Sequence, residues 1–206
     1  MTIVTVSASY GAGGALVGPQ LAERLGVPFF DRALPTEVAE RLAIPLEEAK
    51  ARDESIGGVF SRMAMRLAPI GLAFGAETAP DAVDEESYRR TTEAVIREHA
   101  ADGALVVLGR AGALVLRDDP RALHVRLDGP RERRVEQAQR LGDGDDQEAV
   151  GKRLDENDRA REAYVKHFYH ADPHDSALYH LTIDSTAVPL DAVVDIIERA
   201  AVSRGR

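Results

Sequence analysis

The feature that most constrains this chain is a glycine-rich turn between two elements of different period. Thr2 to Val6 is a β-branched run, the turn lies within VSASYGAGGALVG (Val6 to Gly18), and Leu16, Val17, Leu21, Ala22 and Leu25 then recur at helical spacing before Gly26. This reads as strand, turn, helix and helix stop. The backbone N–H groups of such a loop, added to the helix dipole, bind anions without any cationic side chain. The phosphate-loop pattern G-x-x-x-x-G-K-[ST] places Ala8, Gly13, Gly14 and Ala15 at its Gly, Gly, Lys and Ser/Thr positions, so the cradle lacks its cation and its hydroxyl. Ser9, Tyr10, Gly11, Ala12, Gly13, Gly14 and Ala15 are the candidate phosphate-binding residues. Two other readings stay open. Gly11-Ala12-Gly13 begins the dinucleotide pattern G-x-G-x-x-G, and Asp31 ends the second strand about twenty residues on, although Leu16 takes the third glycine position. Alternatively, the glycines serve only a tight strand-to-helix turn.

Downstream, apolar runs at Val27 to Phe30, Ala104 to Leu108, Ala122 to Leu127 and Leu178 to Asp184 read as strands. Helical patterns cover Leu34 to Leu42, Leu46 to Arg52, Phe60 to Leu67, Glu85 to Ala101, Arg131 to Leu141, Gln147 to Phe168 and Leu190 to Ala201, with a short apolar helix or turn reaching Leu116. Five apolar runs separated by helices predict an α/β fold, a parallel sheet with helices on both faces. The chain's 206 residues suit one domain with an insertion, the helical stretch between the second and third strands. The apolar face of FSRMAMRLAPIGLAF (Phe60 to Phe74) serves either core packing of that insertion or a homodimer interface.

Composition narrows the function. A net charge of -9 argues against a sequence-independent grip on DNA or RNA, which relies on a cationic surface releasing counterions. The absence of cysteine removes disulfides and thiolate metal sites. Met1 runs straight into TIVTV, and Leu67 to Ala76 is about half the ~20 residues a membrane span needs, so a cytoplasmic protein with no membrane partner is expected. His167, His170 and His174 lie near Asp172 and Asp175, but Pro173 interrupts the segment and nothing fixes ligand geometry, so no metal site is assigned. Small anions remain, and they need only a local cationic pocket. Lys50, Lys152 and Lys166 are the only lysines, so arginine, whose planar fork suits phosphate, carries most of the positive charge.

SxxYGxGG at the first strand, PFFD at the second, VVLGRAG at the third, HVRLDGPRERR at the fourth, and DRAREAYVKHFY followed by LYHLTIDST resemble, in this order, the cytidylate-kinase-like family of nucleoside monophosphate kinases. The resemblance implies a three-layer P-loop kinase fold over 1–206, with five parallel strands in the order 2-3-1-4-5. It also implies a helical monophosphate-binding insertion over 33–103 and a lid-like segment over 142–172. The implied activity is transfer of the ATP γ-phosphate to CMP or dCMP with Mg²⁺, which is mainly positioning and charge neutralisation. Three departures stand out. The family's arginine after the double glycine is Ala15, the acid of its GRD pattern is Ala111, and its lid pattern R-D-x-x-D-x-x-R survives as Leu154-Asp155-Asp158-Arg161. A nucleotide-binding protein without transfer activity is therefore the alternative.

Arg110, at the carboxyl edge of the sheet, is the first candidate for the acceptor phosphate or the cytosine ring, against a surface arginine paired with Asp118 or Asp119. Lys152, Arg153, Arg159 and Arg161 crowd a helix beside the acidic turn Gly142 to Asp146, as a lid over triphosphate needs. The same helix offers the internal pairs Asp158–Arg161 and Asp155–Arg159. Arg131, Arg133 and Arg134 read as a solvated first turn. Asp31 either holds a metal-bound water or a ligand amine, or caps the next segment. The catalytic candidates are thus Arg110, Arg153 and Arg161, and the substrate-binding candidates Asp31, Arg110 and Asp158.

Overall fold

A computed structural model describes residues 2–31, 34–45, 47, 85–144 and 146–204. In chain order the elements are β1 (Ile3–Ala8), α1 (Gly14–Leu25), β2 (Phe29–Phe30), α2 (Leu34–Leu42), α3 (Glu85–Asp102), β3 (Leu105–Leu108), α4 (Gly112–Val115), β4 (Ala122–Asp128), α5 (Arg131–Arg140), α6 (Gln147–Tyr169), a 3₁₀ turn (Ser176–Leu178), β5 (Leu181–Asp184) and α7 (Leu190–Arg204). The helices expected at Leu46 to Arg52 and Phe60 to Leu67, and the apolar stretch Phe60 to Phe74, lie outside the described residues.

The strands form one parallel sheet in the order β2-β3-β1-β4-β5. β1 is central, with Val4 opposite both Val106 and Leu123, and its Ile3, Val4 and Val6 are buried. Both faces are covered, as a parallel sheet requires. On one face Val4, Val6, Val106, Leu123, Val125 and Leu127 pack with Val17 and Leu21 of α1 and Val193, Val194 and Ile197 of α7. On the other, Ile3, Leu105, Val107 and Ala122 pack with Val38 of α2, Val95 and Ile96 of α3 and Val115 of α4. The dinucleotide reading loses its topology here: that fold's order is 3-2-1-4-5-6, whereas this sheet has β3 between β1 and β2.

Three strands differ by two residues or more from the sequence reading, β1 by running on to Ala8. β2 is only Phe29–Phe30, because the segment before it is still leaving the α1 cap, where Val27 N–H donates to Ala22 O. β5 starts at Leu181, because the Asp175 carboxylate accepts from Ala177 N–H and coils Ser176–Leu178 into a 3₁₀ turn. α2 and α3, at the two ends of the proposed insertion, are tied by Arg41 to Glu98 (2.6 and 3.0 Å) and by His99 Nε2 to Glu37 Oε2 (2.8 Å). A smaller cluster, Val135, Ala138, Val150 and Leu154, locks α5 to α6, and Tyr10 of the glycine-rich turn packs against it. This cluster brings α6 over the end of β1. Among the described residues no helix is long and apolar enough to cross a membrane.

Candidate functional site

The loop after β1 is shaped by two glycines in the left-handed region, Gly11 (φ 75°) and Gly13 (φ 78°), where a side chain is strained. Space forbids one as well. A Cβ at Gly11 would lie 2.4 Å from the Arg134 carbonyl oxygen, and one at Gly14 would lie 2.6 Å from Ala8 Cβ. Three successive loop carbonyls then accept from side chains outside the loop. Tyr10 O accepts from Arg134 Nη1 (2.8 Å), Gly11 O from Gln137 Nε2 (3.0 Å) and Ala12 O from Ser185 Oγ (2.7 Å). Among the described residues no peptide is cis, and in a planar trans peptide the next residue's N–H points opposite to the carbonyl. The N–H groups of Gly11, Ala12 and Gly13 therefore turn to the inner side. Ala12 N–H returns to Ser9 O (3.0 Å), whereas among the described residues the N–H groups of Gly11, Gly13, Gly14 and Ala15 meet no acceptor. Clustered amide donors at the start of a helix can cradle an anion without a lysine, which makes this loop the candidate cradle.

Around this cradle stand the arginines. Arg161 of α6 donates from Nη1 to Ala8 O (2.6 Å). Its surface is open to water, yet neighbouring protein crowds the guanidinium. That crowding lowers its pKa, opposed by Asp158 and reinforced by Arg110, and a guanidinium remains protonated regardless. Arg110 sits in a run of three left-handed residues, Gly109, Arg110 and Ala111 (φ 71°, 55° and 50°), a conformation that costs roughly 1 kcal/mol or more for each non-glycine residue. This turn lays the Arg110 side chain, 13% exposed, beside Asp31, with Nη2 3.7 Å from Oδ1 and 3.5 Å from the Asp31 carbonyl oxygen. Arg153 donates from Nη2 to Asp143 O (2.8 Å) and, like Arg161, lies close enough to the Tyr10 phenol to act on it. Burial, reinforced by the Asp143 carboxylate, pushes the Tyr10 phenol up to about 12, so it is a neutral hydroxyl at ordinary pH.

The structure thus brings Ser9 to Ala15, Asp31, Arg110, Asp158 and Arg161 together at the carboxyl edge of β1 and β3, with Arg153 on the outer rim. Several pairings differ from those read in the sequence. Asp158 does not pair with Arg161: its Oδ1 accepts from Tyr10 N–H (2.9 Å) and its Oδ2 from Arg134 (2.6 Å). Asp155 is taken by Arg131 through two bonds of 2.8 Å, and Arg159 bonds only the Asp155 carbonyl (3.1 Å). Asp119 holds Arg121 (2.6 Å) and Asp118 lies 3.8 Å from Arg117, so neither is the partner of Arg110. Arg131 and Arg133 are surface residues as expected, but the Arg134 side chain is only 10% exposed. It lies on the face of α5 that packs on the loop.

Sequence reasoning also missed Arg126, whose buried guanidinium bonds Asp128 (2.7 Å), Ser9 Oγ (3.3 Å), the Pro173 carbonyl (2.7 Å) and His174 Nδ1 (3.0 Å). Burial opposes ionisation of Asp128, and Arg126 beside it overrides this and holds the carboxyl below its usual range. Two charged residues two apart on one face of HVRLD were the available signal. As for Mg²⁺, Ala15 offers no hydroxyl, Ser9 Oγ is engaged by Arg126, and the described residues hold no group of three His, Cys, Asp or Glu side chains. Asp31 is the carboxylate at the mouth of the cradle. Such a donor set suits Mg²⁺ carried largely by nucleotide phosphates and water, the usual habit of this ion.

Comparison with known proteins agrees with this fold. The model of the cytidylate kinase-like family matches residues 3–187. A cytidylate kinase of Methanopyrus kandleri is 27% identical over 207 residues, covering 96% of this chain and 92% of the relative. Among solved structures, an uncharacterized protein from Eubacterium ventriosum superposes with a TM-score of 0.69 at 19% identity, covering 98% of this chain and 99% of that one. A shikimate kinase from Acinetobacter baumannii in complex with shikimate gives 0.50 at 17% identity, covering 98% and 94%.

Proposed function

From the premise that this chain belongs to the cytidylate kinase-like family, we propose that it is a nucleoside monophosphate kinase-like phosphotransferase, moving the ATP γ-phosphate to CMP or dCMP. The observation that carries this is the juxtaposition of unclaimed loop amides (Gly11, Gly13, Gly14, Ala15) with Arg161 on one side and the Arg110–Asp31 pair on the other. The amides take the donor's phosphates by directed N–H bonds. Arg161, on the rim of an otherwise amide-only cradle, supplies the charge that the loop itself lacks. Arg110, at the end of β3 and beside Asp31, takes the acceptor. Beside it Asp31 offers an oxygen to a ligand amine or to a metal-bound water.

Bound Mg²⁺ would neutralise charge developing on the transferring phosphoryl group; everything else is positioning by these residues. Arg153 joins the cradle only if the lid segment 142–172 moves inward, which is part of the proposal. The test is formation of ADP that requires both CMP and Mg²⁺, followed in a coupled assay. Nucleotide binding without turnover supports instead a nucleotide-binding protein that has lost transfer, a reading favoured by Ala15 and Ala111 standing where relatives carry charge.

A further inference from the structure

We propose that the Arg134–Asp158 ion pair is the positioning device of the glycine loop, gripping both backbone polar groups of Tyr10 and thereby coupling the loop's phosphate-binding shape to the placement of α6. Asp158 Oδ1 accepts from Tyr10 N–H (2.9 Å), Arg134 Nη1 donates to Tyr10 O (2.8 Å), and the two side chains close on each other at 2.6 Å. Arg134 is itself fixed by donation from Nε to Gly129 O (2.9 Å), with Asp128 Oδ1 at 3.6 Å. Its planar fork therefore has one orientation.

Because Tyr10 O points at Arg134, the following N–H, that of Gly11, points away from it into the cradle. The same pair anchors α6, and Arg161, one helical turn beyond Asp158, bonds Ala8 O. The lid helix thus holds the loop on both sides of Ser9. A local alternative existed, since Asp158 and Arg161 are neighbours on one helix face, yet each bonds the loop instead. Coupling of this kind is reciprocal: a phosphate that favours this loop shape also favours this seat of α6. Asp158 acts here as a positioning residue through Tyr10 and not as a ligand contact. This rests on the reading of the loop as a phosphate site.

The experiment compares the full chain with Arg134→Gln, Arg134→Lys, Asp158→Asn and the Gln/Asn double variant, by amide hydrogen exchange without ligand and by calorimetry with MgATP. Exchange of the Tyr10 and Ala12 amides, the two in the Tyr10 to Gly14 segment that have acceptors, should rise about tenfold or more in each single variant, while segments around Val135 and Leu154 hold their protection. MgATP affinity should fall about tenfold, since one charge-assisted contact sets the loop shape, and the double variant should be no worse than the weaker single one. Arg134→Lys keeps the charge and therefore the fold, but not the fork, and should fall between parent and Arg134→Gln. Unchanged loop exchange overturns the proposal, as does a rise shared by the whole chain. Loop exchange that rises while MgATP affinity stays constant removes the coupling to phosphate and overturns it too. Failure of the parent to bind MgATP strikes the proposed function instead, and the exchange arm still decides whether the pair positions the loop.

Discussion

Ala15 is exposed in the first turn of α1, next to the N–H groups of Gly13 and Gly14 that meet no acceptor among the described residues. An arginine there would add a charge-assisted phosphate contact of roughly 1.5 to 3 kcal/mol. It would also oppose the helix dipole, at a cost of about 0.3 to 1 kcal/mol. The first effect is larger, so Ala15→Arg is expected to raise MgATP affinity about tenfold, read by calorimetry. Constant affinity in a folded protein means that Arg161 already satisfies the site or that the loop does not meet phosphate. Arg110→Ala separates the two ligands: CMP binding should weaken more than ATP binding, because Arg110 follows β3 and lies beside Asp31 after β2, whereas the loop amides follow β1. Equal losses in separate titrations remove Arg110 from the acceptor side. At this scale the sequence was half legible. The glycines, Arg110 and Arg161 declare themselves by type and position relative to strand ends, whereas Arg134 resembles its neighbours Arg131 and Arg133. Only the helical phase of α5 against a loop more than a hundred residues earlier in the chain distinguishes it, and a local pattern does not contain that phase.

Among the elements, α6 carries the widest span of roles: Val150 and Leu154 anchor it to α5, Asp158 and Arg161 bond the loop, and Tyr169 donates to Glu93 of α3 (2.9 Å). Its length, Gln147–Tyr169, was readable because Asp146 caps it, accepting from Glu148 and Ala149 N–H, and because no glycine cluster or proline interrupts its interior. The strands were readable because a parallel sheet covered on both faces leaves continuous apolar runs. What local pattern lacks is which distant group each charge meets. If Arg161 serves transfer, Arg161→Ala should lower kcat by about 10²-fold or more and change KM little, because its phosphate contact is complete only in the transition state. If it merely holds Ala8 O, its loss costs about 1 kcal/mol of stability and leaves turnover intact. Steady-state kinetics beside a melting curve for the same variant distinguishes them. Unchanged turnover removes Arg161 from the reacting groups, and a large fall in melting temperature shows that anchoring of α6 is its main task.

For the whole molecule, the decisive titrations lie in the sheet, away from the cradle. His124, on β4 beside the central strand and 4% exposed, meets Thr5 Oγ1 through Nδ1 (2.8 Å), stacks on His180 at 5.0 Å, and among the described residues leaves Nε2 without a partner. Burial, with His180 and Arg204 adding repulsion, pushes its pKa down to about 4. The unfolded chain protonates this ring near pH 6.5 and the folded chain does not until near pH 4, so the unfolded state binds more protons throughout that window. Stability is therefore complete above pH 6.5 and declines as pH falls towards 4, by roughly 3 kcal/mol in total. His180, also lowered by burial and by Arg204, steepens the same decline. Carboxylates held below their usual range, among them Asp119 by Arg121 and Asp128 by Arg126 against its burial, act later: their contribution is present above their unfolded values and is lost as pH falls below about 4. Acid unfolding should thus proceed in two stages, histidine first. Denaturant titrations at pH 7.5, 6.0, 5.0 and 4.5 measure it. His124→Asn keeps a polar atom for Thr5 and removes the titrating ring. It should be less stable than the parent at pH 7.5, because it is smaller, but its stability should fall less between pH 6.5 and 4. The same slope in both proteins would show that the ring at the centre of the sheet does not govern the acid limit of the fold.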